Sequence, residues 1–126
     1  MEGQRTDNSS ACAAQVQGQL ASVPGQRADL MRPYAIMRAA LDQQPRDILY
    51  SLCQYGMGNV WEWCAQVGGN SCRTTGDIRD NWRSLSRIGF NQAGHERYAG
   101  PGHFNDPDML VVSQVGWGTQ LHRTNL

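Results

Sequence analysis

An α/β fold, with a parallel sheet covered by helices, is what the 126-residue sequence predicts, on two observations. Segments of helical period alternate with short apolar runs, and those runs lack the polar alternation of a half-exposed sheet, so they read as strands buried on both faces. Helical segments also stand between the runs, where parallel strands need crossovers. In sheets of this kind the functional edge lies at the carboxyl ends of the strands.

Residues 1–15, MEGQRTDNSSACAAQ, carry neither a period nor a breaker pattern and read as loop or disorder. In residues 32–43 the apolar positions Tyr34, Met37 and Leu41, preceded by Leu30, recur at helical steps, and Pro33 suits the first turn of that helix. After Pro45, DILYSLC at 47–53 is a short apolar run bounded by breakers, hence a strand, and GMGN is a turn. VWEWCAQV at 60–67 has room for about two helical turns before Gly68 and Gly69 end it. CRTTGDI at 72–78 is a brief β-branched strand, and RDNWRSLSRIGF at 79–90 places Trp82, Leu85 and Ile88 on one helical face. Residues 91–105 are glycine-rich and polar, a loop leading to a second buried strand, MLVV, at 109–112.

Eleven acids balance eleven bases, all of the latter arginines and scattered, so no global field favours nucleic acid or an anionic membrane. No stretch approaches the ~18 apolar residues that span a bilayer, and the first twenty residues hold no signal-peptide core, so a soluble chain is expected, cut from something longer. Cys12, Cys53, Cys64 and Cys72 lie 41, 11 and 8 residues apart, which matches no zinc pattern, and free thiols are the expectation. With His95, His103 and His122 also widely spaced, neither a metal nor another cofactor is expected. GPGHFNDPD lacks the spacing of a phosphate loop, which argues against nucleotide binding.

The chemistry-bearing residues gather at the predicted strand ends. Asp77 follows Arg73 by four residues in a glycine-flanked turn, where an exposed carboxylate serves as a proton donor or as the N-cap of the next helix, the reading that aspartate's cap preference favours. Asp106 and Asp108 bracket Pro107, whose stiff backbone sends the two side chains in different directions; an ordinary Asx-turn is the plainer alternative. Gln54 directly follows the first strand. Trp61, Trp63, Tyr55 and Phe104 are candidates for a platform on which a sugar ring stacks, though such aromatics are more often core; Trp63 and Trp82 are assigned to the core, whereas Tyr55 and Phe104, in loops beside strands, are left open.

Three stretches taken together, YSLCQYGMGNVWEW, RTTGDIRDNW and YAGPGHFNDPDMLVV, closely resemble the catalytic domain of the melibiase-type α-galactosidases, glycoside hydrolase family 27, in the same order from about residue 30 to the end. The resemblance implies a (β/α)8 barrel, of which residues 30–126 supply the region after the fourth strand through the seventh, with residues 1–29 as a poorly matched N-terminal segment. It implies removal of terminal α-linked galactose from an α-galactoside with retention of configuration, and a parent expected to be secreted or periplasmic. On that pattern Asp77 is the general acid/base, Arg73 contacts the substrate, Asp108 binds galactose hydroxyls, Met109 lines the pocket, and Gln54 belongs to the loop that senses the substituent at the second carbon. Asp106 braces the loop. The family's nucleophile follows the fourth strand in a K-Y-D-x-C context; the acid available in the matching region is Asp7, with Cys12 five residues on rather than two, so Asp7 is the nucleophile candidate and a carboxylate outside this chain the alternative. Cys72 stands where the family usually has tryptophan, Cys64 where it often has a small residue, and Phe104 in a tryptophan position. The related α-N-acetylgalactosaminidases and β-L-arabinopyranosidases share the motifs, and an inactive sugar-binding or degenerate fragment is the reading from a different class.

Overall fold

The computed structural model describes residues 9–109. Three short strands, β1 (Ser51–Leu52), β2 (Ser71–Arg73) and β3 (Phe104–Asp106), form one sheet in the order β1-β2-β3, and both pairings are parallel, as the alternating pattern predicts. Leu52 stands opposite Cys72, and Cys72 opposite Asn105.

Two helices precede the sheet, α1 (Ser9–Leu20) and α2 (Gly25–Leu41). The reading of residues 1–15 as loop or disorder is corrected from Ser9 onward: α1 has no amphipathic period to announce it, but Val16 and Leu20, one turn apart, are buried in the same core as α2. Tertiary packing, rather than local propensity, supports such a helix. α2 also begins seven residues earlier than expected, which leaves Pro33 inside it. There the proline lacks the N–H that would bond the Asp29 carbonyl. Burial of Ala28 and Met31 before it and Ala35 after it holds the helix through this gap.

Between β1 and β2 the expected helix at 60–67 is two 3-10 turns, Val60–Glu62 and Cys64–Val67, and Gly68 ends the second at φ +76°, the left-handed conformation for which glycine is suited. Between β2 and β3 run α3 (Trp82–Phe90) and a 3-10 turn, Glu96–Tyr98. β3 lies where the sequence reads as loop. Backbone pairing, not apolarity, makes it a strand: the Phe104 amide donates to the Asn70 carbonyl (2.9 Å) and the Thr74 amide to the Asp106 carbonyl (2.8 Å). From Leu110 onward the strand expected at 109–112 lies outside the described residues.

The core under the sheet is built on Trp63, Met31, Leu52, Val60 and Val67, all essentially without solvent contact. Trp63 is thus core as expected; its indole N–H donates to the Gly58 carbonyl at 2.9 Å, which removes the cost of burying that donor. Trp82 is not core. At the start of α3 it is 54 % exposed, while Leu85 and Ile88 lean on Ile78 in a small separate cluster. The expectation of free thiols is corrected too: Cys64 and Cys72, eight residues apart, form a disulfide across the core, their Cα atoms 6.4 Å apart. Cys53 is free and exposed.

Asn70 fastens the sheet at the opposite end from the strands' carboxyl termini. Its side chain accepts from the Tyr50 amide (2.9 Å) and donates to the Gly102 carbonyl (3.0 Å), so one residue ties the approach to β1 to the approach to β3.

Leu52→Ala removes a fully buried side chain at the centre of this core, and a loss of about 2–5 kcal/mol is expected by urea denaturation followed by far-UV circular dichroism; an unchanged midpoint would place Leu52 outside the stabilising core. Tyr50 gives a pH test. Burial pushes its phenol up to about 12, and the group donates to the Tyr34 carbonyl at 3.2 Å. Since the folded pKa is raised above the unfolded value of 10.0, the contribution is fully present below about pH 10 and is lost as pH climbs towards about 12. Tyr50→Phe is expected to flatten the decline of stability over that interval.

Candidate active site

β2 delivers Arg73 to its carboxyl end, and three loops converge on that guanidinium. Arg73 Nη2 donates to Asp108 Oδ2 at 2.6 Å and to Asp77 Oδ1 at 3.0 Å. The two carboxylates differ sharply: the side chain of Asp108 is 11 % exposed and that of Asp77 is 77 % exposed. Asp108 and Arg73 are therefore a nearly buried ion pair, and Asp77 an open carboxylate beside it.

Asp108 is held by more than charge. Its Oδ2 also accepts the Ile78 amide (2.8 Å), and its Oδ1 the Met109 amide (2.8 Å). The residue sits at φ +87°, in the left-handed region that costs an L-residue about 1–2 kcal/mol. Asp106 Oδ1 accepts the Asp108 amide at 2.8 Å, a side-chain-to-backbone turn that offsets the strain. The bracing role expected for Asp106 is this bond. Thr75 Oγ1 adds a bond to the Pro107 carbonyl (2.8 Å), so the loops after β2 and β3 are stitched together around Asp108.

Asp77 is not a helix cap. The cap of α3 is Asn81, whose side chain accepts from the Ser84 amide at 2.8 Å. Asp77 is left free of that duty.

The loop after β1 supplies the other side. Gln54 is buried, with Oε1 accepting the Tyr34 hydroxyl at 2.6 Å. Tyr55, at φ +57°, lays its ring against Arg73, whose guanidinium carbon is 5.3 Å from the ring centroid. Gly56 follows at φ +82°, and a Cβ there would collide with the Thr74 carbonyl, so the backbone passes β2 as only glycine allows. The hydrogen bond of Tyr55 with Cys53 raises its phenol pKa.

An open cleft of about 810 Å³ adjoins this cluster, lined by Tyr55, Trp61, Thr75, Asp77, Arg83 and His95 among others. Trp61 and His95 stack in it at 4.0 Å, with their planes 23° apart. Arg73, Asp77 and Asp108 are thus brought together, with Met109 beside them and 58 % exposed, while Gln54 is bonded to Tyr34 of α2, away from Arg73, and joins the site only through the loop it opens. Phe104 is 60 % exposed, which separates it from the core. Asp7 lies outside the described residues. The Trp61–His95 pair was not foreseen, since 34 residues separate the two and no local pattern links them.

Arg73→Met leaves Asp108 nearly buried without its cation, and the expected cost is towards the lower end of about 3–5 kcal/mol because two backbone amides remain on the carboxylate. Asp77→Asn, at an exposed position, is expected to change stability by less than about 0.5 kcal/mol. Paired urea titrations decide this, and equal losses in the two variants would contradict the assigned geometry.

A family model described as Alpha galactosidase A matches residues 17–126. The alpha-galactosidase of Cyamopsis tetragonoloba is 42% identical over 92 residues, covering 73% of this chain and 22% of that protein. Alpha-galactosidase 3 of Arabidopsis thaliana is 43% identical over 90 residues, covering 71% of this chain and 20% of that protein. Two crystal structures from Bacteroides fragilis NCTC 9343, both assigned to the alpha-galactosidases, superpose with TM-scores of 0.65 and 0.66 at 40% and 39% identity, each over 72% of this chain and over 22% and 20% of theirs. The chain spans about a fifth of the length of the relatives it matches.

Proposed function

This chain belongs to the family described as Alpha galactosidase A, and on that premise we propose that it is part of a retaining α-galactosidase, acting on terminal α-linked galactose. The parallel order of β1, β2 and β3, with helical segments after β1 and β2, supports reading it as a stretch of a (β/α)8 barrel running from after the fourth strand through the seventh. In such barrels the site lies at the carboxyl ends of the strands, and the Arg73 cluster stands there.

The observation that carries the reading is the pairing of an open Asp77 with a locked Arg73–Asp108 unit. Asp77 donates a proton to the glycosidic oxygen as the bond breaks, then takes one from the water that releases the sugar. Asp108 receives three donors on a carboxylate with about four lone-pair directions, which leaves about one for a sugar hydroxyl. With Oε1 of Gln54 occupied by Tyr34, its amide N–H groups are the part left to reach a substituent at the second carbon. Met109 supplies an exposed apolar surface next to Asp108. Retention needs a second carboxylate roughly 5–5.5 Å from the first as nucleophile; Asp7 is the candidate within this chain, and a residue of a longer parent is the alternative.

Hydrolysis of p-nitrophenyl α-D-galactopyranoside tests the reading, measured on this chain and on one extended by the barrel parts of a relative. Asp77→Asn is expected to lower kcat by about 10²–10⁴-fold, the usual contribution of a positioned acid/base, with folding retained. An extended enzyme that is active and indifferent to Asp77→Asn would remove Asp77 from the chemistry.

A further inference from the structure

Beneath the site, three residues that the glycosidase chemistry does not use converge in the core. The sulfurs of Cys64 and Cys72 and a ring nitrogen of His103 all lie within 4.8 Å of one another, and all three residues are buried. They come from three different elements: Cys64 opens the second 3-10 turn, Cys72 is the middle of β2, and His103 immediately precedes β3.

The imidazole is already oriented. His103 Nδ1 stands 2.7 Å from the Gly69 carbonyl oxygen, an atom that only accepts, so Nδ1 carries the proton. Nε2 then holds a free lone pair, and it is buried without a hydrogen-bond partner. A buried acceptor left unsatisfied is costly and calls for an explanation. An imidazole whose N–H is fixed by a backbone carbonyl while its other nitrogen keeps a buried lone pair without a partner is the usual preparation of a metal-binding histidine.

We propose that, when the Cys64–Cys72 disulfide is reduced, the two thiolates and His103 Nε2 form a binding site for a thiophilic divalent cation, for which Zn²⁺ is the probe. The proposal does not depend on the glycosidase reading. A dithiol reductant gives two electrons and two protons to the disulfide: the S–S bond breaks, both cysteines become thiols, and the reductant closes its own disulfide. Metal binding then releases both thiol protons to water as two S–Zn bonds and one N–Zn bond form. Bonds of about 2.3 Å to sulfur and 2.0–2.1 Å to nitrogen put tetrahedral ligand atoms about 3.5–3.8 Å apart, so the two sulfurs, about 2.05 Å apart in a disulfide, separate by roughly 1.7 Å on reduction, while the histidine nitrogen, within 4.8 Å of both, closes by at most about 1.3 Å. Disulfide and metal exclude each other, which makes occupancy depend on redox state. Spacing along the chain excluded a zinc pattern because Cys64, Cys72 and His103 meet only through the β2–β3 pairing and the packing of the 3-10 turn.

The test uses the untagged 126-residue chain with Cys12→Ser and Cys53→Ser, so that the remaining thiols are Cys64 and Cys72. The reduced chain is expected to take up one equivalent of Zn²⁺ with Kd at or below about 1 μM in competition with a chromogenic chelator. Co²⁺ should give thiolate-to-metal charge-transfer bands, and X-ray absorption at the zinc edge should show two sulfur ligands and at least one nitrogen. The oxidised chain should bind at least about 100-fold more weakly, and so should reduced His103→Gln, a loss at or above the upper end of that for removing a ligand's orienting partner. A reduced chain that is unfolded until Zn²⁺ is added also supports the site. Failure of the reduced chain to bind, equal binding when oxidised, or a coordination shell without sulfur would each overturn the proposal; these readouts need no substitution at the ligands.

Discussion

The ion pair between Arg73 and Asp108 is the contact on which the upper end of this structure depends. Arg73 ends β2, Asp108 follows β3, and Ile78, whose amide the same carboxylate accepts, closes the GDI turn. Burying two charges is unfavourable unless each is answered by close and numerous partners. Here one carboxylate collects a guanidinium and two backbone amides, enough to hold a left-handed aspartate in place. The exposed Asp77 inherits its position from that arrangement: it approaches the same guanidinium nitrogen, and the turn behind it is anchored by Asp108.

The lower end rests on a different principle. Successive strand residues point to opposite faces, so Cys72 enters the core while its neighbour Arg73 serves the polar cluster. The apolar layer that receives Cys72, with Trp63 and Leu52 at its centre, keeps β2 in register with both neighbours. Asn70 and Gly69, joined to Tyr50, Gly102 and His103 through side-chain and carbonyl bonds, fix where β1 and β3 enter the sheet. Polar chemistry at one end of β2 and a cysteine-histidine cluster against its middle are thus consequences of one strand's alternation.

Several elements were legible because their causes are local. The apolar run at 47–53 that contains β1, the glycine stop at Gly68 and the helical face of Leu85 and Ile88 all follow from composition and spacing. What was missed has non-local causes. α1 lacks a period and exists through the burial of Val16 and Leu20 against α2; Pro33 sits mid-helix because the core on both sides holds it; β3 is a strand through its pairing with β2, not through its own residues. Trp82 looked like core by its helical face, yet it stands 54 % exposed in the first turn of α3, and the helix leans on Ile78 through Leu85 and Ile88.

The sequence by itself determined the fold class, the family and the residue types at the candidate site, because motif chemistry such as RTTGDI and NDPD is carried by neighbours along the chain. Tertiary structure decided which of those residues meet: that Arg73 bonds both Asp77 and Asp108, that Asp77 is no helix cap, that Trp61 stacks on His95, and that Cys64, Cys72 and His103 share one pocket of the core. The physical reason is range. Turn, cap and strand preferences act over a few residues, whereas these contacts join residues up to 39 positions apart (103 minus 64) and exist only once strands from separate segments are paired in register.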